Sequence, residues 1–344
     1  MLLVIIILGT TIHIKQNSLY DQQAGSRWSD EREMEQMSLI YPVTQTSTVD
    51  DFFFDSLTHQ IQDAIDQSAF ANESGIPDEQ GITFPYSVCV QGKITIANED
   101  KKVDTNALGV DKHFFTFHPV NLLYGSYIYG DDLMKDGIVI DDEIAWKLFG
   151  SSDVVGKMVT ISGVPHYIKG VVHKDEGRIA KAAGLESTIA YVSMPTLRSY
   201  GLMHGSFVYE LILPNPVENY AVNLVKDTLG SSLENIEFVD NSNRFSFKRS
   251  LEILTDYGVR SMSSKDIIYP YFENEARAYE DILAVYTFLM YITCIALIII
   301  IAIKIWLYKT RLAKRRRKHE KEKNKYIASV RTAISRWMRK KERE

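Results

Sequence analysis

Ile282 to Ile303 (ILAVYTFLMYITCIALIIIIAI) runs 22 residues without a charge, a proline or a glycine. At about 1.5 Å of rise per residue, a helix of that length reaches roughly 33 Å, slightly more than the hydrocarbon thickness of a bilayer. Tyr286 and Tyr291 near one end, and Trp306 and Tyr308 at the other, are the amphipathic aromatics that settle at membrane interfaces. The run predicts a membrane-spanning helix over 282–303, and that helix divides the rest of the chain into two sides.

Charge is distributed unequally between those sides. The 344 residues carry 39 Lys and Arg against 44 Asp and Glu, a net charge of −5. Residues 304–344 hold 17 basic and 4 acidic residues, leaving 22 basic and 40 acidic in 1–303, so the tail is +13 and the remainder −18. The cluster Lys309 to Lys318 (KTRLAKRRRK) follows the span directly and, by the positive-inside rule, predicts a cytoplasmic tail over 304–344 and an extracytoplasmic region over 15–281.

The amino-terminal run MLLVIIILGTTIHI is also uncharged, but its 14 residues before Lys15 give a helix of only about 21 Å. With no Lys or Arg ahead of it, it is a poor signal peptide. The open readings are a first membrane helix shortened by a misplaced start, a signal sequence, or an anchor that thins the bilayer locally, and the favoured expectation is a membrane anchor over 1–14 whose natural beginning is missing. Cys89 in the outer region and Cys294 in the span cannot pair, so the outer domain must rely on an apolar core.

In the outer region, residues 15–38 are compatible with a stalk helix continuing from the anchor, through Trp28, Glu31, Met34 and Glu35. Ile40 to Thr46 reads as a strand, residues 51–71 as an amphipathic helix with Phe54, Leu57, Ile61 and Ile65 on one face, and Tyr86 to Gln91 as a strand. These form a first βαβ unit over 39–93. A second unit, over 204–243, combines strand Phe207 to Leu213, helix Val217 to Leu229 and strand Ile236 to Asp240. Two such units separated by a β-rich insertion over 94–203 predict an α+β fold, a split ferredoxin-like sandwich. A helical stalk over 244–281 would lead into the membrane.

The insertion contains the most informative motif, DGIVIDDEIAWKLFGSSDVVGKMVTISGVPHYIKGVV, residues 136–172. Ile138 to Ile140 is a buried strand, and Asp141, Asp142 and Glu143 place negative charge at the amino end of a helix over Asp142 to Phe149. Gly150 ends that helix in the left-handed conformation, Gly156 and Gly163 mark turns, and Met158 to Ile161 and Tyr167 to Val172 are strands. These residues closely resemble the extracytoplasmic core domain of MacB/FtsX-like ABC transporter permeases. The likeness rests on Ile138 to Asp142, Ala145 to Gly150, Val155 to Lys157 and Gly170 to Val172. Phe114, Phe115 and Leu122 to Gly125 upstream, and Val192 to Pro195 downstream, extend it over about residues 108–200. The resemblance implies porter-like βαβ units around the insertion and a non-catalytic subunit coupled to an ABC ATPase on another chain. Permeases of that family place three membrane helices after the outer domain. The single span here implies a further permease subunit or a second copy as partner.

Other motifs are better read as structure. Gly150 to Met158 has five residues between its glycines and Met158 where a phosphate-binding loop needs Ser or Thr, so no nucleotide cofactor is expected. The pairs His113 with His118 and His166 with His173 lack metal-site spacing and fit packing or surface roles, so no metal is expected. Asp131-Asp132 and Asp141-Asp142 fit turns and caps, and no hydrolase elbow or zinc-protease motif occurs, so no enzyme is expected.

In the tail, Tyr326 to Met338 places Ile327, Val330, Ile334 and Trp337 at helical spacing among arginines. Arg315, Arg316 and Arg317, with Ile334 and Trp337, are the candidate contacts to the lipid bilayer or a cytoplasmic partner. Membrane proximity argues against nucleic acid as partner for this basic run. The alternative function is a membrane-anchored extracytoplasmic binding module without transport activity.

Overall fold

A computed structural model describes residues 1–29, 33–42, 51–71, 75–128, 134–255 and 269–341. It divides into two compact units, residues 11–287 and residues 1–10 with 288–344.

The larger unit is a mixed α+β domain on one sheet. Its ten described strands are β1 (Met34–Pro42), β2 (Tyr86–Ala97), β3 (Lys102–Val110), β4 (Asn121–Gly125), β5 (Gly137–Asp141), β6 (Met158–Ile161), β7 (Val164–His173), β8 (Ile189–Ser193), β9 (Leu202–Pro214) and β10 (Glu237–Asp240). The described α-helices are α1 (Leu2–Asn17), α2 (Ala24–Trp28), α3 (Asp51–Asp66), α4 (Phe114–Phe117), α5 (Asp142–Phe149), α6 (Arg178–Ala180), α7 (Met194–Tyr200), α8 (Tyr220–Leu229), α9 (Phe247–Thr255) and α10 (Tyr271–Lys341).

Strand order is β10-β1-β9-β2-β3-β8-β5-β7-β4, with β6 bridging β2 and β7. The first four strands carry the two βαβ units, β1-α3-β2 and β9-α8-β10. They interleave so that each unit's parallel strands flank a strand of the other, the split pattern expected from sequence. Phe54, Leu57, Ile61 and Ile65 of α3 and Val222, Val225 and Leu229 of α8 are buried against that sheet in the main core. The insertion is a continuation of the same sheet: β3 pairs with β2 over Cys89 to Ala97 and with β8 in parallel. β2 therefore runs unbroken past Gln91, where the sequence suggested a strand end.

The expected stalk helix over 15–38 is corrected. Helix α1 ends at Asn17, a 3-10 turn spans Tyr20–Gln22, α2 is short, and Met34–Pro42 is a strand held between β9 and β10. Burial decides against helix here, because Met37, Leu39 and Ile40 are fully buried at strand spacing from both faces. Pro42 stands at the end of β1 opposite Ser206 of β9, beyond the last residue paired with β10. The remainder of the strand suggested over 40–46, together with Glu31 and Asp131-Asp132, lies outside the described residues. Of the helical stalk suggested over 244–281, α9 and the first turns of α10 are seen, and 256–268 lie outside the described residues.

The motif over 136–172 folds as its local chemistry dictates. Asp141 caps α5, its Oδ1 accepting from Ile144 N at 2.7 Å, while Oδ2 accepts from Ile189 N of β8 at 2.8 Å. Gly150 closes the helix at φ 70°. Burial pushes the Asp141 carboxyl up to about 6 despite those two bonds. Asp141→Ala removes a cap worth about 1 kcal/mol and strands a buried strand N–H at a cost of about 1–3 kcal/mol. Urea unfolding of the detergent-solubilised chain should register a loss in that range, and a variant as stable as wild type would contradict this account of the turn.

In the smaller unit, α1 and α10 meet where a Cβ added at Gly9 would lie 3.9 Å from Met290 Sδ. Only α10, among the described helices, is long and apolar enough to cross a membrane, and none of its most apolar window is buried within the protein. Ile295, Ile298 and Ile303 are more than half exposed. A core helix would bury them, so this surface suits hydrocarbon rather than water.

Candidate functional site

A densely built polar site of the larger unit lies where the chain leaving α1, the sheet and the first turns of α10 converge. Its construction begins with Gln36 of β1, which is fully buried. Gln36 donates to Asp21 O at 2.8 Å and accepts from Ala24 N at 2.8 Å, pinning the turn after α1. On the other side of β1, Asn241 N donates to Gln36 O, and Asp240 Oδ1 accepts from Asn243 N, shaping the turn after β10 that presents Arg244. Pro270 starts α10, its carbonyl accepting from Glu273 N and Asn274 N.

Arg244, 2% exposed, uses its whole guanidinium fork. Nε donates to Glu280 Oε1 at 2.9 Å, Nη1 donates to Gln22 Oε1 at 2.7 Å and Glu273 Oε2 at 2.9 Å, and Nη2 donates to Glu273 Oε1. Arg277 extends the network from Glu273 Oε1 (2.6 Å) to Glu237 Oε1 of β10 (2.6 Å), with its guanidinium 3.8 Å from the centre of the Tyr269 ring. Burial alone would raise the Glu273 carboxyl, but Arg244 and Arg277 outweigh it and hold it down at about 2. Glu273, Arg277 and Glu280 share one helical face at i, i+4 and i+7 spacing.

A second buried ion cluster stands beside the first in sequence on both flanking segments. His118, just after α4, is fully buried; its Nε2 pairs with Glu210 Oε2 of β9 and its Nδ1 lies 3.3 Å from Asp21 Oδ1. Phe272 stacks on the imidazole at 3.8 Å between centroids. Glu210 is held further by Ser38 Oγ at 2.9 Å. Burial disfavours a charged imidazole, yet the carboxylates of Glu210 and Asp21 raise His118 to about 10, so it is a cation at neutral pH. Beside this cluster, a cavity of about 390 Å³ is lined in part by Asp21, Asp175, Tyr191, Tyr271 and Glu275. Burial and the charges of Asp21 and Asp175 raise Glu275 to about 7.

This arrangement joins elements: within the two clusters, Arg244 and Arg277 pair with Glu273, Glu280 and Glu237, and His118 with Glu210 and Asp21. No group of three or more His, Cys, Asp or Glu is placed to hold a metal among the described residues.

Residues 9–227 match the family model of the MacB-like periplasmic core domain. The chain belongs to this family. Among the solved structures similar to it are the following three. The periplasmic region of MacB from Actinobacillus actinomycetemcomitans is 14% identical, with a TM-score of 0.42, covering 63% of this chain and 92% of that one. The extracellular domain of the noncanonic ABC-type transporter YknZ from Gram-positive bacteria is 16% identical, with a TM-score of 0.37, covering 60% and 100%. A domain of a putative permease protein from Porphyromonas gingivalis is 12% identical, with a TM-score of 0.32, covering 61% and 90%. A search of curated proteins gave no match.

Family membership makes this a membrane protein with an extracytoplasmic MacB-like core, the type of domain carried by ABC transporter permeases. The motif residues 136–172 fall inside the matched segment, whereas Arg244, Glu273 and Glu280 lie beyond it. Of the contacts suggested from sequence, Arg315, Arg316 and Arg317 are exposed on α10, Ile334 is exposed further along the same helix, and Trp337 is in its last turns. None of them belongs to the ion clusters. Sequence reasoning passed over the clusters themselves; the one available signal was the Glu273, Arg277, Glu280 stripe at helical spacing just ahead of the uncharged run.

Proposed function

We propose that the chain is a non-catalytic membrane subunit of an ABC-type assembly, in which an ATPase on another chain drives α10 and α10 repositions the MacB-like core. The observation that carries this reading is that α10 is one helix from Tyr271 to Lys341. Its first turns are ion-paired into the core, its middle is the uncharged run, and its end is the basic tail. The +13 tail supports a cytoplasmic carboxyl end and an outer side for residues 15–281. A further permease subunit or a second copy would complete the membrane part.

Within the tail, Arg315, Arg316 and Arg317 act on the anionic inner leaflet, and the Ile334 and Trp337 stripe lies against the same surface. Co-purification of the tagged full-length chain from its native membranes in mild detergent tests the assembly: an ABC ATPase should be recovered. Ala at both Ile334 and Trp337 should leave that recovery unchanged. Recovery of neither an ATPase nor another permease subunit would sink the proposal, and loss of the partner in the double variant would reassign the stripe to protein docking.

A further inference from the structure

We infer that the two buried ion clusters act as paired clamps locking the segment that leaves α1 to the start of α10, so that neither segment shifts without the other. Its use in transport rests on the transmission reading above; the coupling itself is a property of residues 11–287. The deciding observation is a matched split of neighbouring residues. On the α1 side, Asp21 goes to His118 and Gln22 to Arg244. On the α10 side, Phe272 goes to His118 and Glu273 to Arg244. Each segment is therefore gripped twice, by two groups anchored on different parts of the sheet.

Adjacent residues on a helix point about 100° apart, so the grips on Phe272 and Glu273 resist rotation of α10 as well as sliding. Glu280, two turns on, holds the same Arg244 by its Nε. Moving α10 alone would strip Glu273 and Glu280 from Arg244 inside a buried site, leaving charges unpaired. Both segments share the same two side chains, so displacing either one loosens His118 and Arg244 for the other. The same geometry has to work in reverse, because an energetic coupling between two sites is reciprocal.

Hydrogen exchange of the full-length chain in lipid nanodiscs reads this directly. Gln22→Ala alters no residue of α10, yet amides of 271–281 should exchange about tenfold faster. Glu280→Gln, which acts on the network through Arg244 Nε, should likewise speed the amides of 20–28. Strands β5 and β7 serve as the internal standard in both cases. If Gln22→Ala also accelerates the standard, Gln22→Asn is read in its place. Acceleration confined to the substituted segment, in either direction, overturns the inference. The measurement needs no partner chain, so it stands or falls apart from the co-purification.

Discussion

Replacing Arg244 with methionine in the full-length chain should lower its unfolding free energy by about 3–5 kcal/mol, the range for removing one partner of a buried ion pair. Glu273 would lose the fork but keep Arg277 at 2.6 Å, whereas Glu280, 1% exposed, would be left facing Arg249 at 4.0 Å. Arg244→Lys should fall in between, since one ammonium cannot reach Gln22, Glu273 and Glu280 with the geometry of a planar fork. The acid side provides an independent check. Glu273 is held at about 2, below its ordinary value of 4.5, so its contribution is complete above about pH 4.5 and is lost as pH falls toward 2. That window is worth on the order of 3 kcal/mol in the wild type and should flatten in Arg244→Met. Urea unfolding at pH 7 and at pH 3 tests both statements, and a methionine variant with wild-type stability and an unchanged acid slope would refute them.

The parts of this fold legible in the sequence are those whose signals are local. Asp141, Gly150 and Gly163 each satisfy a turn or cap within a few residues, and α5 and β6 lie where that chemistry puts them. The apolar faces of α3 and α8 are likewise periodic enough to be read directly. β1 was misread because its polar residues are buried too: Glu35 is held by Asn215 and Asn243, and Gln36 by the turn after α1. A strand packed on both faces has no alternation, and its polar positions imitate a solvated helix. The clamps were illegible for a different reason. Gln22 and Arg244 are 222 residues apart and meet only because β1 and β10 are neighbours in the sheet. A buried charge reads like any surface charge until its partner is known. Once strand order is available, Arg244 and His118 follow from asking where the charges of the covered segments can go.

The second large effect concerns His118, and it has the opposite pH signature. Its value of about 10 lies above the ordinary 6.5, so the stabilisation it contributes is fully present below about pH 6.5 and is lost as pH rises through 10. The whole window is worth on the order of 5 kcal/mol. His118→Leu should therefore cost several kcal/mol at pH 7, leaving the Glu210 carboxyl without its imidazole partner among buried neighbours, with Ser38 Oγ as a hydrogen-bond donor. Adding Glu210→Gln to that variant should recover part of the loss, because a neutral amide takes the place of the stranded carboxyl and still meets Ser38. Between pH 7 and 10, wild-type stability should decline more steeply than that of His118→Leu, the difference isolating the imidazole from lysines and tyrosines that titrate in the same range. Parallel slopes would mean that the imidazole is neutral in the folded protein. The stack on Phe272 would then be an aromatic contact, and the second clamp would lack the charge that makes it costly to open.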